Sequence, residues 1–126
     1  MDREMRVKKK ETIDTLTEAV IEALEDMKCI HPIVLDVRGR SMVTDRFIIA
    51  SGRSDRHLKA LANTVSAVAH RFGLSASVEG LEALEWLLID LGDVVVHLFL
   101  PEVRDTFQLE SLWATPVAQE PDISSS

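Results

Sequence analysis

Two apolar runs late in the chain, Glu85 to Asp90 and Val94 to Leu100, are separated by only a few residues that include Gly92. Strands this close in sequence can pair only as an antiparallel hairpin, because a parallel return needs a crossover of a dozen residues or more. With Asp90 and Asp93 flanking a two-residue Leu91-Gly92 loop, the expected pairing sets Ile89 against Val94, Leu88 against Val95, Leu87 against Val96 and Trp86 against His97. Side chains alternate along a strand. One face therefore carries Leu87, Ile89, Val94, Val96 and Leu98, all aliphatic and suited to lie under helices. The other carries Trp86, Leu88, Asp90, Asp93, Val95, His97 and Phe99.

Upstream segments supply what the hairpin packs against. From Glu11 the apolar residues Ile13, Leu16, Val20, Leu24 and Met27 recur every three or four positions, which predicts an amphipathic helix with Pro32 marking its exit. Ile33 to Val37 reads as a short strand, Arg38 to Ser41 as a turn, and Asp45 to Ala50 as a strand apolar on both faces. Ser54 is placed to cap a second helix whose stripe runs through Leu58, Leu61, Ala62, Val65, Val68, Ala69 and Phe72, with Gly73 to stop it. Ala76 to Glu79 adds a strand before the hairpin. Pro101 closes the sheet, and Thr106 to Trp113 reads as a short helical piece packing back on it. The order α-β-β-α-β-β-β predicts an α/β (α+β) fold: a single domain with a mixed five-stranded sheet packed with helices. Residues 1–10 read as a flexible basic N-terminus, 11–114 as the domain, and 115–126 as a flexible tail.

A chain of 126 residues buries about two-thirds of its unfolded surface, enough for one core. Its single cysteine, Cys29, cannot form an internal disulfide and fits a reducing cytosol. No apolar stretch approaches the ~20 residues of a membrane span, and the N-terminus lacks a signal core. Cytoplasmic location is the expectation, with no membrane partner.

The net charge of −7 argues against a binder driven by nucleic-acid phosphates. Its distribution is uneven. Residues 1–78 hold 13 Lys+Arg and 11 Asp+Glu, giving +2, whereas residues 79–126 hold 1 and 10, giving −9. An acidic last third attracts a basic partner, though charge blocks are often only solvated surface. The Trp86–His97 face has the amphipathic aromatics that protein-binding hot spots favour. Equally, the C-terminal segment can cover that face and make Trp86 an ordinary core residue.

Enzyme motifs are incomplete. Gly52-Arg53-Ser54, between a strand and a helix, invites a phosphate but lacks the spacing of a P-loop or a dinucleotide fingerprint. Asp36 and Asp45 lie on separate strands with no Asp-x-Asp pair. His31, His57, His70 and His97 show no zinc-ligand spacing. An acid–base couple of His97 with Asp90 has no nucleophile or oxyanion donors beside it. No catalytic residue, metal or cofactor is expected.

The run Asp36-Val37-Arg38-Gly39-Arg40-Ser41 and then Thr44 to His57, the set Val78-Glu79-Gly80, Trp86 and Asp90 to His97, and finally Arg104, Phe107 and Leu109 to Trp113 resemble the signatures of the ribosomal silencing factors, also called the Iojap family. The resemblance covers residues 12–114. It implies a nucleotidyltransferase-like topology without the catalytic acids. It also implies a translational repressor that binds the large ribosomal subunit through its ribosomal protein number fourteen, with rRNA nearby. Blocking the small subunit under nutrient limitation would be the effect, and the free protein would be a homodimer. A large-subunit assembly factor and a weakly active nucleotidyltransferase relative are the alternatives. Arg46 and Phe107 depart from the family pattern, which has a non-basic residue and a tyrosine at these places. Combining both lines, the expected partner-binding patch is Trp86, Asp90, Asp93 and His97, helped by Glu79 and Arg104.

Overall fold

The computed structural model describes residues 2–37, 44–82 and 85–107. Its elements are α1 (Asp2–Asp26), β1 (Ile30–Asp36), β2 (Arg46–Ser51), α2 (Asp55–Arg71), β3 (Ser77–Glu79), β4 (Trp86–Asp90), β5 (Val94–Phe99) and α3 (Pro101–Phe107). The strands form one sheet in the order β1-β2-β5-β4-β3. Only β2 and β5 run parallel; the other neighbouring pairs are antiparallel. The parallel pair is joined through α2, β3 and β4, a crossover of the kind parallel strands require.

Helices α1 and α2 cover one face. Their stripes, Ile13, Leu16, Val20 and Leu24 from α1 and Leu58, Leu61, Val65 and Ala69 from α2, meet Ile48, Ala50, Leu87, Ile89, Val94, Val96 and Leu98 in one buried cluster. The aliphatic hairpin face thus lies where its composition placed it. Each fully buried leucine or isoleucine there contributes about 1.5–3 kcal/mol.

Both helices end alike. At the end of α2 the Leu74 N–H bonds to the Ala69 carbonyl and the Gly73 N–H to that of His70, with Gly73 at φ 75°. At the end of α1 the Cys29 N–H bonds to Leu24 and the Lys28 N–H to Glu25, with Lys28 at φ 62°. Left-handed backbone at this position reverses the chain and satisfies the last carbonyls. The exit of α1 is therefore set at Lys28 and not at Pro32. Pro32 sits inside edge strand β1, where the register shifts between Ile30 and Ile33 and His31 adopts φ 45°. A proline is tolerated at such a bulged edge because no ladder bond is lost. Helical backbone of α1 begins at Asp2, ahead of the Glu11 onset of its apolar stripe. Arg, Glu, Met and Lys propagate a helix readily once it is nucleated.

Arg46, the basic departure at the start of β2, pairs with Asp14 of α1 at 2.7 Å. It ties the helix layer to the sheet. The helix expected from Thr106 starts five residues earlier, at Pro101, as α3. Proline at a first helical position loses no hydrogen bond there and has its φ preset. Residues 108–113 of that expectation, and the 115–126 tail, lie outside the described residues.

Candidate docking face

The hairpin closes one residue later than the sequence suggested. The Leu91 N–H donates to the Val94 carbonyl at 2.9 Å, so Gly92 and Asp93 form the loop, with Gly92 at φ 98°. An Asp90 carboxylate oxygen accepts from the Gly92 N–H at 2.8 Å. Closing here keeps Leu91 in the core instead of exposing it in a turn. The ladder accordingly slips by two residues: Trp86 opposes Phe99, Leu88 opposes His97 and Ile89 opposes Val96. A slip of one would have exchanged the faces, whereas a slip of two preserves them.

On the face away from α1 and α2, Trp86, Leu88 and Asp90 of β4 therefore stand beside Val95, His97 and Phe99 of β5. Phe47, Ile49 and Ser51 of β2 continue the surface on one side, and Ser77 and Glu79 of β3 on the other. Its buried centre is a second cluster, Leu35, Val37, Ile49 and Phe99, with Ile33, Phe47, Trp86 and Val103 of α3 packed around it. Helix α3 covers part of this face. Towards β3, Trp86 and Leu88 are half-buried and Glu79 and Asp90 are exposed.

Four rings define the middle. Phe47 stands edge-on to His97 with centroids 4.7 Å apart, and Trp86 lies 4.9 Å from Phe99. Trp86 Nε1 donates to His97 Nδ1 at 3.1 Å. Indole N–H can only donate, so Nδ1 holds the lone pair and the neutral ring carries its proton on Nε2. His97 is 4% exposed, and its Nε2 has no hydrogen-bond partner. Burial pulls its pKa down from 6.5 to about 4, keeping the ring uncharged near neutral pH.

Of the six residues expected to form the patch, the structure brings Trp86, Asp90 and Glu79 to its open part. Asp93 is half-buried in the hairpin loop, where its carbonyl accepts from the Asp45 and Arg46 N–H groups. His97 and Arg104 lie buried, away from the open part of the patch. Arg104, 8% exposed, donates through its guanidinium to the Ile30 carbonyl and to Ser51 Oγ, tying α3 to the ends of β1 and β2. Sequence reading had no means to place these two, since their burial depends on α3 and on the parallel β2–β5 pairing. Two further residues shape the face. Phe47 reaches it from β2, and Gly80, at φ 95°, lets the chain pass Trp86 so closely that an added Cβ would lie 2.2 Å from the Trp86 carbonyl oxygen.

The alternative phosphate turn is internally occupied. Ser54 Oγ accepts from the His57 N–H at 3.1 Å, and the Arg53 N–H donates to His57 Nδ1 at 2.9 Å. The other ring nitrogen of His57 lies 2.8 Å from the Met27 carbonyl, linking α2 to the α1–β1 connection. Among the described residues, no three His, Cys, Asp or Glu side chains gather as a metal site.

Comparison with known proteins adds the following. A family model described as "Ribosomal silencing factor during starvation" matches residues 9–126. A Chromobacterium violaceum protein named ribosomal silencing factor is 44% identical over 102 residues, covering 80% of this chain and 84% of its own length. A crystal structure of a Chromobacterium violaceum protein superposes with a TM-score of 0.77 at 44% identity, covering 80% of this chain and 85% of that one. A mouse protein named for mitochondrial assembly of the ribosomal large subunit is 42% identical over 84 residues, covering 64% of this chain but only 37% of its own.

Proposed function

Because the chain belongs to the ribosomal silencing factor family, we propose that it represses translation by docking on the large ribosomal subunit and obstructing the small one. The contact is ribosomal protein number fourteen of that subunit. The observation that carries this reading is the partly open sheet face. Half-buried Trp86 and Leu88 form an apolar centre, and Glu79 and Asp90 form an exposed acidic rim. Ribosomal proteins are generally basic, so the rim steers and orients the encounter while the apolar centre supplies the affinity. The bulk of helices α1 and α2, held on the opposite side of the sheet, then projects away from the contact into the space a second subunit would need.

Co-sedimentation of the purified protein with purified large subunits tests this. Trp86→Ala is expected to weaken binding at least about tenfold, the loss typical of a central aromatic anchor. A folded Trp86→Ala variant that binds as well as wild type would remove the face from the mechanism.

A second reading is favoured by the mouse relative, whose name describes assembly of the large subunit. The same docking face serves a factor that leaves before the subunit matures. Quantifying the protein on mature large subunits from starved cells separates the two. Retention there supports silencing, and confinement to precursor particles supports assembly.

A further inference from the structure

Burying an imidazole in this position is unfavourable unless it does something an apolar side chain cannot. His97 lies among Phe47, Trp86 and Phe99, is almost wholly covered, and leaves its Nε2–H without an acceptor. An unsatisfied buried donor costs stability, whereas a shape-matched apolar residue costs none. Leucine would fill the space between Phe47 and Phe99 at lower cost. What leucine lacks is the Nδ1 lone pair that accepts from the Trp86 indole.

Trp86 is the first residue of β4, entered past the tight Gly80 approach, and is half-buried. Its ring packs on Phe99 at 37°, a contact without a preferred direction in the ring plane. The hydrogen bond to Nδ1 is directional and adds that orientation. The two-residue slip in the ladder makes this possible. Trp86 stands directly opposite Phe99, so His97 is its diagonal neighbour, within reach of a long side chain but not stacked beneath it.

We propose that His97 is a positioning residue whose Nδ1 acceptor holds the Trp86 ring in its docking orientation before the partner arrives. The inference rests on the docking role given to Trp86 above. Phe47 and Phe99 in turn hold His97, and Phe47 is thereby joined to the docking face without touching the partner. A pre-oriented anchor loses less side-chain freedom on binding, which is how such support raises affinity.

The test uses the full chain with ¹⁵N-labelled indoles, the Trp86 Nε1–H resonance being assigned by its disappearance in Trp86→Phe. That resonance and its hydrogen exchange are followed in wild type, His97→Leu and His97→Gln, alongside equilibrium co-sedimentation with purified large subunits. His97→Leu is expected to fold at least as stably as wild type, shift the indole resonance towards that of a free indole, speed its exchange, and weaken subunit binding about fivefold, as for one lost hydrogen bond. His97→Gln, which restores an acceptor, is expected to recover most of the shift and most of the affinity. Undiminished affinity in His97→Leu, or a His97→Gln variant no better than leucine in both readouts, overturns the inference. Undiminished affinity in Trp86→Ala overturns instead the docking reading beneath it.

Discussion

The two faces of the sheet are built from the same strands but by opposite rules. The face under α1 and α2 is aliphatic, with Ile48, Leu87, Ile89, Val94, Val96 and Leu98 buried against two helix stripes. The face under α3 carries rings, a histidine and carboxylates, and is sealed at its β1–β2 side while left half-open at β4 and β3. The first maximises buried apolar area. The second leaves a tryptophan half-exposed among carboxylates, which a stability-optimised face would avoid. If the second face docks as proposed, stability resides in one layer and recognition in the other, so the two should respond differently to perturbation.

The sharpest separation is expected from truncation. Ile48→Ala, under the helices, should cost about 2–5 kcal/mol in urea unfolding and leave subunit affinity unchanged in the folded fraction. Leu88→Ala, on the half-open face, should cost about 1 kcal/mol and weaken subunit binding. Equal stability losses at the two positions would erase the distinction.

Acid probes the second face through His97. Burial lowers the His97 pKa from 6.5 to about 4, so between those values the unfolded chain binds more protons than the folded one. Stability contributed in this way is intact above about pH 6.5 and falls as pH drops through the window, by up to about 3 kcal/mol near its lower end. Thermal melts from pH 7 to pH 4 measure the fall, and His97→Leu should flatten it. An equal slope in His97→Leu would assign the acid sensitivity elsewhere.

A smaller, mixed effect is expected at the border of the two regions. Gly80→Ala pushes a Cβ into the Trp86 backbone and strains a positive φ. It should destabilise by about 2 kcal/mol and lower subunit affinity as well, because the entry into β4 must move. Full affinity in a destabilised Gly80→Ala would detach Trp86 placement from docking.

How much of this was legible depended on whether a feature is local. The face assignment of the hairpin was readable because alternation survives a two-residue slip, even though the individual partners Trp86–His97 and Ile89–Val94 were wrong. The α2 cap was readable because glycine occupies the left-handed position at Gly73. The same cap on α1 was not, since a lysine sits there and only the backbone bonds of Lys28 and Cys29 reveal it. Trp86 and Asp90 could be placed on one face from strand pattern alone, whereas Glu79 took its place only through the β3–β4 register. The burial of His97 and Arg104 depends on α3 and on the β2–β5 pairing, contacts between segments about 50 residues apart in the case of Ser51 and Arg104. No sequence period encodes such contacts.

Side-chain footprinting by hydroxyl radicals on the protein free and bound to large subunits compares the two sides of the molecule directly. The account expects Trp86 and Leu88 to become shielded on binding, while Arg56, Lys59 and Arg71 on the outer surface of α2 keep their reactivity. Shielding of the α2 residues with Trp86 and Leu88 still reactive would contradict it.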